Sequence, residues 1–216
     1  MKIHFFGHSG ILLEDTLTVL IDPWLNNNPL AKIKAENIIK ADYIIATHNH
    51  SDHVDDIPII AKKTGATVIG IVETINDLAS KGCKKTVGCN IGGKVKLDSI
   101  ELIFTQAFHS MSSNPSGVLI FLNDKTIYHA GDTGVFGDMK LIGELYPIDL
   151  AFVPVGGHFT MGPEEASIAI QLLQPKTVVP IHYNTFDLIK QNINQNLIKD
   201  SKTQLVILEP GQDFIL

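Results

Sequence analysis

A chain of 216 residues, 44% hydrophobic and 19% charged, is long enough for one sizeable core, and its composition excludes a disordered chain. A formal charge of −6 gives no bulk attraction to a polyanion, so a nucleic-acid partner is not expected. The first residues, MKIHFFGHSGILLED, lack the apolar stretch and small-residue cleavage site of a secretion signal, and no apolar run approaches bilayer length. A cytoplasmic protein without membrane contact is therefore expected. Cys83 and Cys89, in CKKTVGC, do not have metal-knuckle spacing and read as two reduced thiols.

In chain order, KIHFF, GILLE and LTVLI read as short strands, and the apolar run at 43–47 is a strand that feeds a polar, histidine-rich loop. A helix is predicted over 54–63, with Pro58 limiting its first turns, followed by the buried strand TVIGI and a helix in ETINDLASKG closed by Gly82. KVKLDSIELIFTQAFHS suggests two strands, and GVLIFLNDKTIYHAGD a hairpin turning at Asn123-Asp124. The tail alternates again: strand DLAFVPV, helix PEEASIAIQLL, strand TVVPI, a helix over 186–198 and a last strand QLVILE. The order β-meander, α/β, β-meander, α/β without a linker predicts one domain over residues 1–216. Its class is α+β, a four-layer αββα sandwich.

Nine histidines are present, and their placement carries the chemistry. THNHSDH puts His48, His50, Asp52 and His53 within six residues directly after a buried strand. In an extended loop His48 and His50 point the same way and can grip one ion, while Asp52 and His53 can turn towards a second. His109, Asp132 and His182 each follow a predicted strand and so sit on rigid supports.

Taken together, His-x-His-x-Asp-His, a further histidine, Gly-Asp-Thr and a late histidine resemble the signature of the metallo-β-lactamase superfamily. GHSG at 7–10, LIDPW at 20–24, GGHFTMGPEEA at 156–166 and PIHYNTF at 180–186 are similar to one branch of it. That branch is the uncharacterised metal-dependent hydrolase family related to ascorbate-6-phosphate lactonase. The resemblance implies that His48, His50 and His109 bind one metal, that Asp52, His53 and His182 bind another, and that Asp132 bridges them. Penicillin-cleaving members typically have a cysteine at the bridging position, so Asp132 argues against that activity.

Two divalent ions, zinc before manganese or iron, are the expected cofactors, and a water they share would be acidified towards hydroxide. Counting +4 for the ions, −2 for Asp52 and Asp132 and −1 for hydroxide leaves about +1, which suits a small anionic or carbonyl-bearing substrate. The expected activity is hydrolysis of a small ester, lactone or phosphoester. Rival readings are a nuclease, redox chemistry at a di-iron site, and a metal-binding protein without catalysis. Asp52 and His158 are the candidate catalytic groups. His158, in a glycine-rich loop before a helix N-terminus, either meets substrate or is a backbone-bonded loop residue. His8 and Asp22 either orient ligands or serve structure, and His129 is either a support behind the ligands or a core residue. His4 reads as structural, and Trp24 lines a pocket mouth or simply packs.

Overall fold

The computed structural model describes residues 1–110 and 112–216. The first sheet contains β1 (Lys2–Gly7), β2 (Gly10–Glu14), β3 (Thr18–Ile21), β4 (Tyr43–Ala46), β5 (Thr67–Ile71) and β6 (Thr86–Cys89). The second contains β7 (Lys94–Leu97), β8 (Ile100–Gln106), β9 (Ser116–Leu122), β10 (Lys125–His129), β11 (Leu150–Pro154), β12 (Thr177–Ile181) and β13 (Gln204–Leu205). The chain then returns to the first sheet as β14 (Asp213–Ile215), which pairs with β1. Each seven-stranded sheet is mixed: antiparallel in its meander, then parallel through β3–β6 or β10–β13.

Strand periodicity divides the apolar residues among three interfaces. Ile3, Leu13, Val19, Ile45 and Ile69 face Phe104, Val118, Ile127, Phe152 and Val179 between the sheets. The alternate residues Leu20, Ile44 and Val68 cover the outer face of the first sheet. They pack there against α2 (Ile57–Thr64) and α3 (Val72–Ser80) through Ile57, Ile60, Ile75 and Leu78. On the other side Leu119, Ala151, Val153 and Val178 pack against α4 (Met139–Leu145) and α5 (Pro163–Leu173). These are the four layers expected from the sequence. No helix among the described residues is long and apolar enough to cross a membrane. Cys83 and Cys89 are free and buried.

Several local expectations need correction. The predicted helix over 186–198 is two 3-10 turns, Asp187–Ile189 and Gln195–Leu197. The asparagines there bond backbone instead of yielding to a helix: Asn184 Oδ1 accepts Gln191 N–H at 2.8 Å, and Asn194 Oδ1 accepts Asn196 N–H at 2.9 Å. QLVILE narrows to Gln204–Leu205. The helix expected over 54–63 is split: α1 (Ser51–Val54) opens inside the histidine loop, and α2 starts afresh with Pro58 in its first turn. Two elements have weak signals. β6 is half exposed and includes Gly88, and α4 includes Gly143, where any Cβ would collide with the Leu173 carbonyl of α5.

Candidate metal centre

Strand ends deliver the polar side chains to one edge of the sandwich. His8 follows β1, Asp22 follows β3, and β4 runs into Thr47 and His48. His109, Asp132 and His182 lie just beyond β8, β10 and β12. Their backbones are tied across the sheets: His182 N–H donates to His8 O at 2.7 Å, and Ser116 donates both N–H and Oγ–H to Thr47 O. His8, Asp22 and His182 all have positive φ, at 58°, 45° and 55°. That conformation costs a non-glycine residue roughly 1–2 kcal/mol, so the surrounding fold holds these side chains in position against strain. Gly131 makes the turn before Asp132, since its φ is 63° and a Cβ would strike the Ser116 carbonyl.

Two sets of donors meet at Asp132. His48 Nε2 and His109 Nε2 each lie 3.2 Å from His50 Nδ1, and Asp132 Oδ2 is 3.8 and 3.6 Å from the same two Nε2 atoms. Tetrahedral donors around an ion with bonds of ~2.0–2.1 Å stand about 3.3 Å apart, so this set has near-ligand spacing. On its other side Asp132 Oδ2 is 3.1 Å from His182 Nε2 and 3.4 Å from His53 Nε2. His53 and His182 form the second set with Asp52 and His8, their donor atoms within 4.8 Å of one another. His53 Nε2, His182 Nε2 and Asp132 Oδ1 are buried without a hydrogen-bond partner. Each such orphan costs about 1–3 kcal/mol, and a cation bound among them satisfies all three. The residues fit divalent metal.

Behind the donors, hydrogen bonds fix which nitrogen is free. His53 Nδ1–H donates to Asp22 Oδ2 at 2.8 Å. His48 Nδ1–H donates to Thr47 Oγ1 at 2.9 Å, and Thr47 passes its own proton to Asp22 Oδ2 at 2.6 Å. Nε2 of both rings is thereby turned towards the cluster, the orientation that supporting carboxylates impose on ligating histidines. His8 Nε2–H donates to Asp52 Oδ2 at 3.2 Å, and His8 Nδ1 is held by Thr185 Oγ1 at 2.9 Å. Thr133 ties three loops together. Its Oγ1 accepts Phe108 N–H at 2.9 Å, and its carbonyl accepts Met161 N–H at 3.1 Å.

A family model described as "Beta-lactamase superfamily domain" matches residues 18–183. The chain is 46% identical to the protein named "UPF0173 metal-dependent hydrolase" of Pyrobaculum islandicum, over 98% of both chains. The chain belongs to the UPF0173 metal-dependent hydrolase family of the metallo-β-lactamase superfamily. A relative of the same family from Thermococcus kodakarensis is 43% identical over the full length of both chains. The solved structure of Igni18, described as a novel metallo hydrolase from Ignicoccus hospitalis, superposes with a TM-score of 0.92 at 39% identity. It covers 100% of this chain and 98% of that one.

In this member of the UPF0173 family, the seven residues expected from the sequence to be ligands come together, with His8 beside Asp52. Asp22 bonds Thr47 and His53, and His8 bonds Asp52, so both orient members of the donor sets, which their motifs left undecided. His129 does too: its ring receives Gly131 N–H at 3.1 Å and donates to Ser9 O at 3.1 Å, fixing the turn before Asp132. Thr47, Thr133 and Thr185 lie inside the motifs THNHSDH, Gly-Asp-Thr and PIHYNTF, but the sequence alone assigns them no role of their own. Trp24 packs on His8 and Phe186, at 5.2 and 6.3 Å between ring centres, and His4 bonds Asp213. His158 is exposed and outside the donor sets. At the start of α5 the Glu165 carboxylate caps the helix by accepting Gly162 N–H at 3.1 Å.

Burial pushes His48 down to about 3 and His8 down to about 4, and it lowers His109 as well, so these rings are neutral at pH 7. Burial acts in the same direction on His53, but the carboxylates of Asp132 and Asp22 outweigh it and hold this ring well above 6.5. Burial raises Asp52 and Asp132, yet the neighbouring imidazoles prevail and keep both below the ordinary carboxylate range. In metal-free protein His53 therefore keeps a proton at pH 7, and a metal must displace it. Metal binding is expected to release about one proton per chain, and affinity should rise about tenfold per pH unit through neutrality. Calorimetric titrations in buffers of different ionisation enthalpy check both the number and the sign. His8→Ala should free Asp52 and lower metal affinity about tenfold, read by competition with a chelating dye.

Proposed function

We propose that this edge holds two divalent ions and that the protein hydrolyses a small ester, lactone or phosphoester. One observation carries the reading: the Asp132 carboxylate stands between two sets of imidazoles whose ring nitrogens converge on it. His48, His50 and His109 would hold one ion and Asp52, His53 and His182 the other, with Asp132 available to both. When bound, such ions acidify a water for attack and stabilise negative charge developing on the substrate oxygen. The protein's own groups do the rest. Asp22, through His53 and Thr47, fixes ring orientation, and His8 aims Asp52. His158, exposed on the loop that Met161 ties to Thr133, supplies the proton to the leaving group. Zinc is the first choice for so imidazole-rich a set, with manganese and iron also accepted by this chemistry.

Protein reconstituted separately with zinc, manganese and iron and screened against esters, lactones and phosphoesters tests the reading. Turnover lost with chelator and restored by one metal is the expected outcome, and inertness towards every substrate with full metal occupancy contradicts it. His158→Ala should retain its metal content while turnover falls about 10²-fold or more, the lower range for loss of a proton donor. Loss of metal in that variant would contradict the assignment.

A further inference from the structure

We infer that the substrate is an uncharged ester or lactone carrying an apolar acyl or aryl group, gripped by a phenylalanine rim; this rests on the hydrolase reading above. Phe108, Phe159 and Phe186 are 55%, 48% and 38% exposed and are concentrated on three loops of one edge. Phe108 precedes His109 and is anchored at both backbone ends, its N–H to Thr133 Oγ1 and its carbonyl to Gly134 N–H. Phe159 follows His158 on the loop secured to Thr133. Phe186 has its ring centre 5.5 Å from that of His8, which touches Asp52. Phe186 thus stands beside the donor cluster and Phe108 directly precedes His109, while His50, Asp52 and His109 are partly exposed and open the centre to a substrate.

The charge distribution supports the same choice. All 17 basic residues are lysines, and none falls within 47–53, 107–116, 130–135, 155–162 or 182–186, the segments that carry the donors and the rim. Four of them, Lys62, Lys81, Lys84 and Lys85, line a cleft of about 610 Å³ against α2, at a distance from the rim loops in the fold's outer layer. Lys34 bonds Asn26 O, and Lys190 pairs with Asp187 at 2.7 Å. Glu164 and Glu165 occupy the first turn of α5. A substrate with a second negative charge would find no cation for it beyond the metal centre, whereas a carbonyl ester needs none. An apolar tail on the rim displaces water from exposed rings.

The test is a chain-length series on metal-loaded protein: p-nitrophenyl acetate, butyrate and hexanoate, set against p-nitrophenyl phosphate. kcat/KM is expected to rise about two- to fourfold per added methylene, the range from half to full burial of a CH2. It should exceed that for the phosphate at least about 100-fold. Trp24, the single tryptophan, packs on Phe186 and reports binding independently of turnover. Its fluorescence should titrate at lower concentration with 2-octanone than with 2-butanone. Phe108→Ser with Phe186→Ser should flatten both trends, and if that variant does not fold, the wild-type series and the fluorescence still decide. A flat series, or preference for the phosphate, overturns the inference and leaves the hydrolase reading standing. No turnover of any ester or phosphate by metal-replete protein overturns both.

Discussion

Asp132→Ala should reduce bound metal from two ions to one or none and lower turnover by at least about 10³-fold, equivalent to roughly 4 kcal/mol of transition-state stabilisation. Asp132 Oδ2 lies within 3.1–3.8 Å of Nε2 on His48, His53, His109 and His182. Asp22 also lies near His48 and His53, but its oxygens are taken by Thr47 and His53 Nδ1, so losing Asp132 would leave two bound cations without the charge that screens their repulsion. Asp132→Asn separates charge from shape. It fits the same space, yet metal affinity should still fall at least about tenfold, because the amide lacks the negative charge. Metal analysis after gel filtration, paired with steady-state kinetics, reads both effects. Full occupancy by two ions in Asp132→Ala would show that the carboxylate is not the bridge.

Asp22→Ala should have the largest effect on folding. Asp22 is fully buried and accepts three hydrogen bonds, from Thr47 N–H, Thr47 Oγ1 and His53 Nδ1. Alanine strands all three donors, and breaking a buried charged pair in this way costs about 3–5 kcal/mol. For a chain of this length that corresponds to a fall in Tm of about 10 °C. Metal affinity should fall about 10- to 100-fold as His53 and His48 lose their orientation. Burial raises Asp22, but the His53 charge overrides this and holds its carboxyl below the ordinary value. A depressed folded-state value means that the stabilisation is present above about pH 4 and disappears as pH falls through the folded value. The Tm difference between wild type and Asp22→Asn should therefore be full at pH 7 and shrink in acid, as thermal unfolding of the metal-free proteins would show.

The donor residues were legible in sequence because chemistry and position coincide there. THNHSDH follows an apolar strand, and His109, Asp132 and His182 follow short, largely buried apolar strands bounded by turn residues. The sandwich was legible for the same reason, since Leu20, Ile44 and Val68 alternate with Val19, Ile45 and Ile69 between two interfaces. What escaped depends on contacts distant in sequence. Thr133 matters because it joins Phe108 and Met161, 25 and 28 residues away. β14 exists because the chain recrosses to β1, and nothing local in Asp213–Ile215 announces that pairing. The segment over 186–198 has helical spacing of apolar residues, but asparagine side chains compete for its backbone and win.

Anomalous diffraction from crystals of manganese-loaded protein tests the dinuclear centre most directly. Two peaks are expected, one among His48, His50 and His109 and the other among Asp52, His53 and His182, with Asp132 touching both. A single peak, or a pair that Asp132 does not touch, would contradict it.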